Sequence, residues 1–263
     1  MIICLDPGHG EGYNPSPCGY GYSEGTRMYE YSLILTAELE KYKDAKGNKV
    51  EVLNTRKNVR MSPSLFDRAA TGKNATLLLS LHSDAAGNGK VDGTDFVSVY
   101  RSIKDSGEQF AENMASAIAS VMETRQFPKS LSKINSAGTA DYYGIIRHAR
   151  NFGVRCLLLE HSFHTDTRTT KWLMNDGNLQ ALAEAEAAVI AKEYNLTKEH
   201  EEMRYYYIKE VPAAYRKETI DRLIALGIIK GKGGSGEDLI IDLGEDAIRL
   251  LIYNDRAGLY PRA

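Results

Sequence analysis

The chain opens "MIICLDPGHGEGYNPSPCGYGYSEG", residues 1–25, and the reading of its first ten positions decides the fold. Residues 2–5 form a short apolar run closed by Asp6 and Pro7, the pattern of a buried strand, and the run passes straight into His9 between two glycines. From Met28 the positions Tyr31, Leu35, Leu39 and Tyr42 follow three- and four-residue steps, which predicts a helix. Further strand-like runs lie at 50–54, 76–81, 94–100 and 155–159. Helical stripes separate them, through Phe110, Met114, Ala117, Ile118 and Val121, and then through Leu179, Leu182, Ala183, Val189, Ile190 and Tyr194. Strands alternating with helices predict an α/β domain over residues 1–196, a twisted, mostly parallel or mixed sheet with helices on both faces.

Composition narrows the function classes. With 263 residues, 43% of them hydrophobic, the chain can bury a large core. Lys+Arg 33 against Asp+Glu 35 gives a net charge of -2, without the basic excess that nonspecific binding to nucleic acid or an anionic membrane needs. Neither is expected as a partner. Cys4, Cys18 and Cys156 are scattered and lack a CxxC pair, so reduced, buried thiols are expected rather than a disulfide framework or a thiolate zinc site. No apolar run approaches the roughly 20 residues that span a bilayer. The start carries no signal-like leader, so the expectation is synthesis in the cytoplasm followed by release.

After Leu196 the charged stretch "TKEHEEMR" reads as a linker at 197–204. Residues 205–263 read as a small helical domain. One helix has Ile220, Leu223, Ile224 and Leu226 inward, a glycine-rich turn follows at 231–236, and a second helix has Ala247, Ile248, Leu250, Leu251 and Tyr253. So short a segment is marginal as an independent core.

The chemistry-bearing residues stand at the ends of strands. His9 lies in "DPGHGEG", His82 in "LLLSLHSD" and Glu160 in "RCLLLEHSF", each after an apolar run. In an open α/β sheet such ends meet at one crevice, and an ionisable group there must be solvated, paired or metal-bound. Two histidines and a carboxylate that leave a position open are the ligand set of a catalytic zinc, with a second carboxylate as general base. Glu24 and Glu30 compete for the third ligand place. Glu24 is chosen because it falls in the first helical turn and continues the inward stripe, whereas Glu30 sits about 9 Å further along the axis; Glu30 is the reserve. Plainer readings stand beside these: His9 as a solvated loop residue, Glu24 as a helix-start acid, Glu160 as a buried acid paired with Arg56 or Arg68. His161 should face away from Glu160 on a strand, while His148 and His164 are candidates for lining a groove.

These motifs, "DPGHG", "SEGTRM", "TRKNVRMSPSLFDRAA", "LLSLHSDA" and "LLLEHSFHTDTRTTKWL", resemble in their order the zinc-dependent N-acetylmuramoyl-L-alanine amidases of the amidase-3 type, found in phage endolysins and bacterial autolysins. The resemblance covers about the first 195 residues. It implies that His9, Glu24 and His82 hold zinc and that Glu160 is catalytic. It also implies that the substrate is bacterial peptidoglycan, cut between N-acetylmuramic acid and the L-alanine of the stem peptide, in a bacteriolytic role at the cell wall. Asp84, Gly72 and Asp166 stand where the family often has Asn. The C-terminal segment is similar to a single surface-layer-homology repeat, which implies wall attachment or homo-oligomerisation; a helical cap on the catalytic domain is the other reading. Competing functions are a zinc carboxypeptidase or deacetylase acting on another wall amide, and a non-catalytic wall-binding protein.

Overall fold

The computed structural model describes residues 1–87, 89–199 and 204–261. It divides into two compact units, Met1–Glu199 and His200–Ala263. The first is built on a six-stranded sheet in the order β3-β1-β4-β7-β5-β6. Its strands are β1 (Ile2–Pro7), β3 (Glu51–Asn54), β4 (Leu77–Asp84), β5 (Ser98–Arg101), β6 (Lys129–Ser132) and β7 (Arg155–Phe163). β3, β1, β4 and β7 run parallel, while β5 pairs antiparallel with β7 and carries β6 parallel beside it, so the sheet is mixed.

Alternation along the strands divides the core into two layers. Ile3 and Leu5, Leu77, Leu79 and Leu81, and Leu157 and Leu159 face α1 (Glu24–Leu39), α3 (Glu108–Met122) and α6 (Asp176–Tyr194). Cys4, Leu78, Cys156 and Leu158 face α2 (Leu65–Thr71) and α4 (Gly144–Asn151). Asp6, His82 and Glu160 continue this second set in phase, so the three polar residues leave the sheet on one side. α5 (Thr167–Leu173) follows β7 and is capped by Asp166, whose side chain accepts from the Thr169 amide.

Several elements differ from expectation for visible reasons. β4 and β7 run on to Asp84 and Phe163, through Ser83, His161 and Ser162, whose side chains find hydrogen-bond partners. β5 begins only at Ser98 rather than at residue 94, since the Asp95 amide donates to the Gln126 side chain and leaves the ladder. β6, "KSLS", is an edge strand whose polar sequence gives no apolar signal. Gly72 packs where a Cβ would lie 2.9 Å from Leu78 and 3.1 Å from Cys4, so a larger residue requires these side chains to shift. Cys4 and Cys156 are buried, but Cys18 is only half-buried and donates to the Thr165 carbonyl. Burial pushes the Cys4 thiol up to about 12.

The first unit ends at Glu199 rather than 196, because β8 (Thr197–Lys198) pairs antiparallel with β2 (Tyr42–Lys43) and Lys198 reaches the buried Glu38. Of the expected linker, 200–203 lie outside the described residues, as does His200. The second unit is not purely helical: β9 (Arg204–Tyr207) and β10 (Ile240–Gly244) form an antiparallel ribbon. It packs with a helical run through α7 (Ala213–Tyr215), a π turn and α8 (Asp221–Ala225), and with α9 (Glu245–Arg256). Ile208, Val211, Ile220, Leu223, Ile241 and Ile248 lie in the core of this unit. Among the described residues no helix is long and apolar enough to cross a membrane.

One buried ion pair in the first unit is open to test. Asp6 accepts from Thr55 at 2.7 Å, Arg68 at 2.8 Å and Ser80 at 2.8 Å, all out of water. Asp6→Ala would leave the Arg68 guanidinium buried without its counter-charge, and a loss of about 3–5 kcal/mol is expected. Urea unfolding followed by the fluorescence of the single tryptophan, Trp172, measures it.

Candidate metal centre

The start of the loop after β1, Gly8 to Gly10, has glycine on either side of His9, and two buried arginines hold its backbone. Arg56 donates through Nη1 to the Gly8 carbonyl at 3.1 Å and to the Gly25 carbonyl at 2.6 Å. Arg68 donates through Nη1 to Pro7 at 2.7 Å and through Nη2 to the carbonyl of His9 at 2.6 Å. The loop is thereby tied to β1 and to the start of α1, with His9 at φ 56, a left-handed conformation that turns its ring outward. Neither arginine pairs with Glu160, contrary to the plainer reading of that acid.

On this frame three side chains converge. The potential ligand atoms of His9, Glu24 and His82 all lie within 4.8 Å of one another. Glu24 is the first residue of α1 and only 2% exposed. Its Oε1 lies 2.8 Å from His82 Nδ1 and accepts from the Ser83 amide at 3.2 Å; its Oε2 lies 3.3 Å from His9 Nε2. Asn14 donates to the same Oε2 at 2.7 Å. Burial alone would raise the pKa of this carboxyl, but the hydrogen bonds and charge of His82 and His9 outweigh it and hold Glu24 well below the usual carboxylate range.

The donor set suits a zinc-sized cation: two imidazoles and a carboxylate, gathered from a loop, a helix start and a strand end. The cradle is tight as well. A Cβ on Gly8 would lie 2.3 Å from the His82 ring, so the glycine is what lets that imidazole approach the loop. Glu30 is elsewhere: it is half-exposed and bonded to Arg27 at 2.8 Å. Of the two acids weighed from the sequence, the structure brings Glu24 to the histidines and Glu30 to an arginine.

Glu160 is the register partner of His82 across β4 and β7, so the two leave neighbouring strands on the same face. The acid is 9% exposed, and its Oε2 has no hydrogen-bond partner. Burial, reinforced by the charges of Glu24 and Asp84, pushes its pKa well above the ordinary carboxylate value. A cleft of about 310 Å³ opens over the histidines, lined by Gly8, His9, Tyr13, Ser62, Pro63, Leu65, Arg68 and His82.

Among the described residues, no other histidine lines this cleft. His161 is fully buried on the opposite face, as alternation predicts. His164 is buried against Ser83, with Nδ1 2.9 Å from the Ser83 hydroxyl, and His148 sits edge-on to Phe66. Sequence reasoning passed over Asn14, the anchor of Glu24, and Tyr13, whose ring stacks on His9 at 5.5 Å. The stretch "TRKNVRMSPSLFDRAA" supplies Arg56 and Arg68, which pin the His9 loop. An arginine bonded to backbone carbonyls leaves no periodic signal.

The sequence profile of N-acetylmuramoyl-L-alanine amidase, the amidase-3 family, matches residues 3–192. Among curated protein sequences none matches the chain. Solved structures do. An N-acetylmuramoyl-L-alanine amidase from Clostridium difficile 630 is 20% identical with a TM-score of 0.60, covering 74% of this chain and 97% of that one. The catalytic domain of CwlV, an amidase from Bacillus (Paenibacillus) polymyxa var. colistinus, is 17% identical with a TM-score of 0.58, covering 74% and 98%. The amidase AmiC2 of Nostoc punctiforme is 21% identical with a TM-score of 0.57, covering 74% and 97%. These neighbours share the mixed α/β fold, and the profile, spanning well over half of the sequence, decides the family: the chain belongs to the amidase-3 family of N-acetylmuramoyl-L-alanine amidases.

Proposed function

We propose that the chain is a zinc-dependent peptidoglycan hydrolase that cleaves the amide between N-acetylmuramic acid and the L-alanine of the stem peptide, in an endolysin- or autolysin-like role at the cell wall. His9, Glu24 and His82 hold the metal, and Glu160 is the catalytic acid and base. The observation that carries this reading is the pairing of a three-donor cluster with a buried carboxylate that has a free oxygen one strand away. A buried acid without a partner is costly to a fold and useful to a reaction.

When bound, zinc supplies Lewis acidity, polarising the scissile carbonyl and making water acidic enough to attack near neutral pH. The protein's own part is positional and protonic. Asn14 and the Ser83 amide fix the Glu24 carboxylate, so that His9 and His82 meet it in one arrangement. Glu160, its pKa raised by burial, takes the proton from the attacking water and returns it to the departing amine of L-alanine. Tyr13, exposed and stacked on His9, stands at the rim of the cleft where the wall polymer enters.

The second unit, which covers most of 205–263, acts in this reading as a surface-layer-homology-like module for wall attachment or self-association. Its exposed Tyr206, Leu250, Tyr253 and Leu259 are the side chains available for such contacts.

Chelation should abolish lysis of purified walls and added zinc restore it, with new N-terminal alanine as the product; released acetate or C-terminal residues would instead indicate a deacetylase or carboxypeptidase. Glu24→Ala should lose stoichiometric zinc, measured by elemental analysis of the purified protein, while Glu30→Ala keeps it. Glu160→Ala should retain zinc yet lose at least about 10²–10⁴-fold in rate; an unchanged rate would mean that the acid does not act. A chain ended after Glu199 is expected to keep hydrolysing soluble muropeptides but to sediment less with intact walls.

A further inference from the structure

Helix α6 carries an acid into the apolar layer opposite Glu160. Glu186 is fully buried, and its Oε1 lies 2.7 Å from Nε2 of His161, itself fully buried in β7. Nδ1 of the same imidazole lies 2.8 Å from the backbone carbonyl oxygen of His82. Tyr31 of α1, also fully buried, sets its ring edge-on to His161 with centroids 5.3 Å apart. These groups take no part in the chemistry assigned above. They sit among Leu159, Leu182 and Ile190, where an aliphatic pair would pack without the several kcal/mol that desolvating an ionic pair costs.

The hydrogen bonds show what the pair holds. A carbonyl only accepts, so Nδ1 carries the hydrogen and donates it to His82, while Nε2 is left to the Glu186 carboxyl group. This bond falls where the sheet is irregular. His82 pairs with Glu160, but Asp84 pairs with Phe163, so β7 carries an extra residue at a bulge, with Ser162 at φ 58. Across the bulge the ladder between β4 and β7 is interrupted, and the His161 side chain grips the His82 peptide there. The elements that meet at this cluster, α1, β4 and β7, are those that bring Glu24, His82 and Glu160 to the site on the other side of the sheet.

We infer that His161, clamped by Glu186, is a positioning residue that sets the direction in which the His82 imidazole and the Glu160 carboxylate leave the bulged strand pair. This rests on the proposed zinc-dependent activity. The test is the double variant His161→Phe, Glu186→Leu, which fills the layer with apolar groups, removes the bond to the His82 carbonyl and leaves no buried charge unpaired. Zinc affinity by chelator competition, thermal stability, and kcat and KM on a soluble muropeptide are measured beside the wild-type chain. Expected is a folded protein with KM unchanged, kcat lower by about 10–100-fold and zinc bound more weakly by a similar factor. A folded double variant with wild-type kcat and wild-type zinc affinity overturns the inference. Should that variant fail to fold, His161→Leu, Glu186→Met is read by the same criteria, since it removes the same bond with another apolar pair. A wild-type chain that binds no zinc and releases no alanine overturns the proposed function itself, and is told apart because the fault then lies in the unmutated protein.

Discussion

The site depends on two guanidinium groups that hold its loop by the backbone. Arg56 and Arg68 reach under the loop after β1 and bond the carbonyls of Pro7, Gly8, His9 and Gly25. A glycine-rich loop has high conformational entropy and little side chain to bury. Rigid multidentate donors are an efficient way to fix such a backbone, because one planar guanidinium can satisfy several carbonyls at once. With the loop fixed, His9 has one outward direction, and the start of α1 is held against it closely enough that a Cβ on Gly25 would lie 1.8 Å from the Gly10 carbonyl. Glu24 is placed by the same contact.

The sheet then separates two kinds of polar group. On one face Asp6, His82 and Glu160 continue the stripes of β1, β4 and β7 to the strand ends. On the other, His161 and Glu186 are sealed in the apolar layer. The two neighbours Glu160 and His161 illustrate the division: one carboxylate oxygen without a partner, one imidazole with both nitrogens bonded. Period-two alternation sends adjacent residues to opposite fates.

How much of this was legible in the sequence follows from which signals are local. The strand ends at His9, His82 and Glu160 were visible because apolar runs stop abruptly at a polar residue. Glu24 was separable from Glu30 by helical spacing, and the structure shows the physical counterpart, one acid buried between histidines and the other bonded to Arg27 in solvent. What escaped was non-periodic. Asn14 bonds Glu24 from an irregular loop, Asp95 leaves the ladder for Gln126, and "KSLS" forms an edge strand with no apolar pattern. The second unit was read as wholly helical because the residues of its ribbon, "RYYY" and "IIDLG", are too short to display alternation against their surroundings.

The register of the sheet also governs its sulfur chemistry. Cys4 and Cys156 both lie beside Leu78, on the strands flanking β4, so two strand spacings of about 4.8 Å separate them. That exceeds the roughly 7 Å limit for a disulfide. With both thiols also kept protonated by burial, an oxidant meets almost no thiolate to attack. The catalytic unit can thus pass from a reducing to an oxidising medium with these two core thiols unchanged, and needs no redox partner to protect them.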